Sequence, residues 1–140
     1  MDNSLQFLNL SIIESKYIKS DEPGVEGKEV EFVPKYNIKY GIKFGYKNFT
    51  SYLQYSYLAS QFSDSSNSLE SNLSGVIGQI PAYDILDLSM NYKLDKIKFE
   101  TGVNNILNTS YFTRRATGYP GPGIIPSPPR NYYLTIQYKF

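Results

Sequence analysis

Residues 109–130 carry three arginines, Arg114, Arg115 and Arg130, and no Asp or Glu. A guanidinium is a planar fork of donors that fits a carboxylate or phosphate edge-on and keeps its charge at any physiological pH. Gathered in a stretch without counter-charges, such groups suit the capture of an anion. Tyr111 and Tyr119 in the same stretch can offer aromatic contacts. The competing reading makes the arginines solvated loop charges or partners of lipid phosphates, and the tyrosines loop packing. Arg130 begins a periodic segment, which favours a structural role for it. A second group, Asp87, Lys93, Lys98 and Glu100, falls on the polar side of alternating segments. These side chains can line an aqueous path, or they can pair with neighbouring strands. Asp87 and Glu100 could pass for an acid/base pair, but carboxylates on a wet face are ordinary and nothing beside them supports hydrolysis.

The elements that position these groups are strands. In residues 130–140, Tyr132, Leu134, Ile136, Tyr138 and Phe140 share one face, and Tyr133, Thr135, Gln137 and Lys139 the other. A period of two is the pattern of a strand with one apolar and one polar face. The same pattern recurs at 36–46, 49–62, 83–94 and 96–105, and less regularly at 5–17. In that first segment Leu8, Leu10 and Ile12 alternate, whereas Phe7 and Ile13 break step, so the register is open there and a β-bulge is one way to reconcile it. Several segments have about ten residues, the length a tilted strand needs to cross a bilayer. Connections are short near Lys47 and Asp95 and long at 18–34, 63–82 and 108–129. Short turns at one rim and long loops at the other belong to an outer-membrane barrel, with apolar residues in lipid and polar ones in the lumen. The long loops, and with them the arginines, then lie outside the cell. Pro120, Pro122, Pro126, Pro128 and Pro129 restrict the last loop and lower the entropy it loses on ordering.

Composition narrows the function classes. Hydrophobic residues make up 41% of the chain and the mean hydropathy is −0.38, so no run approaches the roughly 18 apolar residues of a spanning helix. Fourteen tyrosines and eight phenylalanines supply the aromatic girdles of a barrel. Without His and Cys there is no Ser-His-Asp site, thiolate site or disulfide. A net charge of +1 argues against binding nucleic acid through bulk charge. Residues 1–6 lack the basic and apolar regions of a signal peptide. The expectation is therefore that any export signal lies outside these residues and that the chain is a fragment.

Three segments resemble the C-terminal end of TonB-dependent outer-membrane receptors. They are Ala82-Tyr-Asp-Ile-Leu-Asp-Leu-Ser, then Gly102-Val-Asn-Asn-Ile-Leu-Asn-Thr-Ser-Tyr-Phe112, and the terminal strand. Val33-Pro-Lys-Tyr-Asn-Ile-Lys-Tyr-Gly looks like the entry to an earlier strand of the same barrel, and residues 118–130 look like the last external loop of ferric-dicitrate-type receptors. The resemblance implies an all-β fold: a transmembrane antiparallel barrel of about 22 strands with a plugged lumen. Residues 1–140 supply about six of those strands and none of the plug. It implies a receptor in the bacterial outer membrane that takes up an iron chelate, with ferric citrate as the leading ligand, and no enzyme. Iron enters only as cargo, so no resident cofactor is expected. Implied partners are the chelate, outer-membrane lipid and lipopolysaccharide, the TonB energising complex acting through the missing plug, and the barrel assembly machinery. Arg114, Arg115, Tyr119 and Arg130 are then the ligand candidates. Asp87, Lys93, Lys98 and Glu100 line the lumen, and Tyr138 and Phe140 form the insertion signal. The alternatives are an orphan barrel fragment with no activity of its own, a pore closed by several copies, and a receptor for another ligand such as cobalamin.

Overall fold

The computed structural model describes residues 3–119 and 121–140. Ten strands follow in order: β1 (Asn3–Ile12), β2 (Tyr36–Tyr46), β3 (Phe49–Leu58), β4 (Gln61–Phe62), β5 (Gln79–Ile80), β6 (Tyr83–Leu94), β7 (Ile97–Asn104), β8 (Phe112–Ala116), β9 (Gly123–Pro126) and β10 (Asn131–Tyr138). Six of them form one antiparallel sheet in the order β1-β2-β3-β6-β7-β10. The short strands pair off as β4-β5 and β8-β9 inside two of the long connections.

The pairing register stacks like with like. One row across the sheet joins Ile42, Leu53, Leu88, Val103 and Tyr132. Another, near the short turns, joins Tyr46, Phe49, Tyr92, Phe99 and Ile136. Such a row of rings at one level is the form an aromatic girdle takes. This apolar face stays uncovered: Leu8 and Leu134 are each 66% exposed. In water a continuous surface of this kind drives association, whereas in lipid it is the favourable outer wall of a barrel.

The opposite face is polar and tightly fitted. Phe7 lies on it without a bulge, because β1 pairs residue for residue with β2 from Asn3–Gly45 to Ile12–Tyr36. Its ring occupies the place where Gly41 has no side chain, and stacks on Tyr52 at 6.0 Å between centroids. Tyr133 fills the space over Gly102 in the same way. An aromatic ring over a glycine, and not a bulge, accommodates Phe7, a device that lets a large side chain sit on a crowded face.

Two other expectations change. The first strand ends at Ile12 rather than near residue 17, although the chain stays tied across its loop by Ile13 N–H to the Lys35 carbonyl and Tyr17 N–H to the Lys28 carbonyl, at 3.0 and 2.9 Å. The third segment breaks after Leu58, and Gln61–Phe62 turns away to pair with Gln79–Ile80. Both two-residue turns put a non-glycine residue in the left-handed region, Lys47 at φ 50° and Asp95 at φ 49°.

A single sheet layer has little interior, and within it only Gly41, Ile85 and Gly102 are buried among the described residues. Val25, Ala59, Gln61, Gly78, Ile80, Asn105, Arg115 and Ala116 are buried on the long-loop side. The packed part of the described residues is thus the loop layer, at the rim that carries the candidate site.

Candidate functional site

Three loops, 13–35, 59–82 and 105–130, rise from one rim of the sheet and are braced to one another. Asn67, at φ 52°, accepts the Glu29 N–H at 2.7 Å and donates to the Glu29 carbonyl at 2.8 Å, so its side-chain amide acts as a strand partner for the first loop. Phe32 N–H donates to the Phe62 carbonyl at 2.9 Å. Asn72 gathers the Val76 and Ile77 amides on its Oδ1 at 3.0 and 3.2 Å.

Asp64 organises the middle loop. Burial raises its carboxyl's pKa, but donors from the Ser66 hydroxyl and from the Ser68 amide and hydroxyl together outweigh that, and hold it below the ordinary carboxylate value. A depressed carboxyl stabilises the fold above the ordinary carboxylate range and loses that contribution as pH falls through its folded value. The protection of amides in residues 63–78, corrected for the pH dependence of intrinsic exchange, is therefore expected to hold down to about pH 4 and to fall below it. Asp64→Asn should abolish that acid loss of protection; an identical acid profile in the variant removes Asp64 as its cause.

The third loop is pinned at its foot by asparagines. Asn105 sits at φ 54°, 3% exposed. Its amide N–H donates to Asp87 Oδ1 at 2.8 Å, its Oδ1 accepts the Thr109 N–H at 2.9 Å, and its Nδ2 donates to the Thr109 carbonyl at 2.9 Å. Asn104 donates to Asn131 Oδ1 at 2.8 Å, and Asn108 accepts the Arg130 N–H at 3.2 Å. The Val-Asn-Asn-Ile-Leu-Asn run is thus a corner that ties the end of β7 to the start of β10. Asn tolerates the left-handed region better than most residues, and that was the available signal for Asn105.

Above the corner stands the hairpin β8–β9. Strand alternation separates the paired arginines. Arg114 is exposed. Arg115 is only 6% exposed and donates to the Gly75 carbonyl at 2.8 Å, to Ser71 Oγ at 2.9 Å and to the Gln79 carbonyl at 2.8 Å, with the Phe112 ring 5.1 Å away. Tyr119, at the tip, is 96% exposed. Arg130 is exposed at the foot, one residue before β10. The candidates therefore occupy three levels of the same loop, and among the described residues Arg115 alone of them has its terminal nitrogens committed to protein acceptors. Tyr111 packs on Tyr83 at 4.6 Å between centroids, inside the rim. Pro120 lies outside the described residues; the Pro128 and Pro129 carbonyls accept from Asn105 and Asn131 at 3.4 and 3.0 Å.

Asp87, Lys93, Lys98 and Glu100 share the polar face, two of them as close partners. Lys98 is ion-paired with Glu100 along β7, and Lys93 stands directly across from Lys98. Asp87 is held by the Asn105 amide. Tyr138 and Phe140 meet edge to face at 5.1 Å, with Tyr138 on the apolar face.

A sequence model of the family described as TonB dependent receptor-like, beta-barrel matches residues 3–106. The chain belongs to this family. TonB-dependent receptors are outer-membrane β-barrel proteins that serve transport rather than catalysis. The fold agrees with solved members. The unliganded ferric citrate transporter FecA superposes with a TM-score of 0.87 at 24% identity, over 99% of this chain and 21% of that one. The ferric yersiniabactin uptake receptor FyuA from Yersinia pestis gives 0.76 at 17% identity, over 96% and 21%. The ferric preacinetobactin receptor BauA from Acinetobacter baumannii gives 0.75 at 18% identity, over 96% and 20%. The chain thus spans about a fifth of the length of these TonB-dependent receptors.

Proposed function

We propose that these residues form part of the barrel and external rim of a bacterial outer-membrane receptor for an anionic iron chelate, with ferric citrate as the first candidate. One observation carries the choice of ligand charge: Arg114 stands exposed on a hairpin whose whole loop, 109–130, contains no carboxylate. A metal wrapped in carboxylates suits such a surface, because guanidinium–carboxylate contacts are charge-assisted and bidentate. Tyr119 and Arg130 are proposed as weaker contributors from the tip and the foot. Arg115 is assigned to holding the hairpin in place. The polar face, with Asp87, Lys93, Lys98 and Glu100, is proposed to line the lumen. Energy from TonB reaches the site through a plug that these 140 residues do not supply. Lipopolysaccharide surrounds the rim, and the assembly machinery reads the strand that ends in Tyr138 and Phe140.

The sheet has two open edges, on β1 and β10. Lipid does not tolerate unpaired backbone groups, so the receptor reading requires further strands to close the barrel. Its test uses the complete polypeptide in which these residues occur. Arg114→Ala is expected to weaken ferric citrate binding by more than tenfold, about 1.4 kcal/mol. Unchanged affinity takes Arg114 out of the site. Tight binding of a neutral chelate or of cobalamin, with none of ferric citrate, replaces the ligand.

A further inference from the structure

We propose that Arg115 is a positioning residue: it latches the 59–82 loop to the hairpin β8–β9, so that the two loops present themselves as one rigid unit. All three of its acceptors, Ser71 Oγ and the carbonyls of Gly75 and Gln79, come from the other loop, 36 to 44 residues away in sequence. Two are main-chain oxygens, so the guanidinium fastens the path of that backbone and not just one side chain. Three divergent acceptors call for a fork of donors with fixed geometry, which an ammonium does not have. The cation lies over Phe112 of its own strand, so the packing holds it at both ends.

A second observation points the same way. Beside the guanidinium the two loops touch through glycines. A Cβ on Gly75 would lie 3.3 Å from the Gly123 Cα, and one on Gly123 would lie 3.3 Å from the Ser74 carbonyl oxygen. Gly75 at φ 70° and Gly123 at φ 130° also take conformations that side chains rarely adopt. Main chain against main chain, clamped by a buried arginine, is a joint rather than a chance contact. Because Arg114 rises from the same hairpin one residue earlier, fixing Arg115 fixes the platform from which Arg114 projects. That consequence for the ligand rests on the receptor reading; the latch itself does not.

The test compares Arg115→Lys, which keeps the charge, with Arg115→Met, which removes it, in the complete polypeptide in outer-membrane vesicles. Proteinase K added from outside reads the joint with no ligand present. Both variants are expected to raise cleavage within residues 63–78 at least tenfold while the barrel keeps its heat-modifiable mobility on gels. Ferric citrate affinity is expected to fall by a similar factor in both. Wild-type cleavage rates in both variants overturn the latch. Affinity kept by Arg115→Lys but lost by Arg115→Met also overturns it, since charge and not the fork would then be in use. Raised cleavage in both variants, in a receptor whose wild type binds no ferric citrate, upholds the latch and fails the ligand assignment. If Arg115→Met does not reach the membrane, Ser71→Ala decides: it deletes one acceptor and leaves the charge. A several-fold rise in cleavage supports the latch and an unchanged rate overturns it.

Discussion

Asn105→Leu is expected to prevent the barrel from reaching a stable folded form. The residue sits at φ 54° with 3% exposure, and a branched aliphatic side chain in the left-handed region costs about 1–2 kcal/mol. The substitution also removes both hydrogen bonds that the side chain makes with Thr109. Thr109 is only half-buried, so each of its backbone groups left without a partner costs at most about 1–3 kcal/mol. The total, up to about 5 kcal/mol, reaches the lower end of the stability of an ordinary domain. Asn105→Gly separates the two causes, since it keeps the backbone conformation and loses only the side-chain bonds. The folded, heat-modifiable band is expected to be absent for leucine and present, with a lowered urea midpoint, for glycine. Equal midpoints for leucine and the wild type would remove this corner from the account of how the last loop is held.

The second large effect is expected at Gly102. A Cβ there would lie 2.5 Å from the Leu88 carbonyl oxygen and 2.6 Å from the Tyr133 ring. The ring can swing away, but the Leu88 carbonyl belongs to the ladder joining β6 to β7 and cannot. Gly102→Ala is therefore expected to cost about 1–3 kcal/mol, the usual range for overpacking a filled site. Gly45→Ala is the control, because its nearest neighbour is 3.7 Å away, in ordinary contact. Urea titration of both variants checks the pair; equal midpoints would mean that β6 and β7 shift apart at little cost. Gly41 falls between the two. A Cβ there would meet the Phe7 ring at 2.1 Å, but Phe7 lies on β1 at the sheet edge.

Both effects trace to residues whose importance the sequence shows only in part. Asn105 lies in the run that carried the family resemblance, so its place was legible. Its work was not, because its partners Asp87, Thr109 and Pro128 are joined to it by the folding of the corner. Gly102 reads as one more small residue on a polar face until Tyr133 is seen above it. The misfit of Phe7 has the same origin: alternation marks it as facing the polar side, and only the vacancy over Gly41 on the neighbouring strand explains how it fits there. The hairpin β8–β9 carries little periodic signal, because its strands are short and surrounded by Gly and Pro.

The six strands of the main sheet, their division into an apolar and a polar face, and the alternation of short turns with long loops were set by the sequence alone. Each depends on neighbours one or two positions apart, where backbone geometry leaves no choice. Which polar residues are free to meet a ligand was decided only by the tertiary structure. Arg114 and Arg115 are adjacent and chemically identical, yet strand alternation turns one outward and drives the other into acceptors on residues 71–79. The proposed selectivity for an anion rests on that difference, which arises from contacts between segments that local pattern cannot bring together.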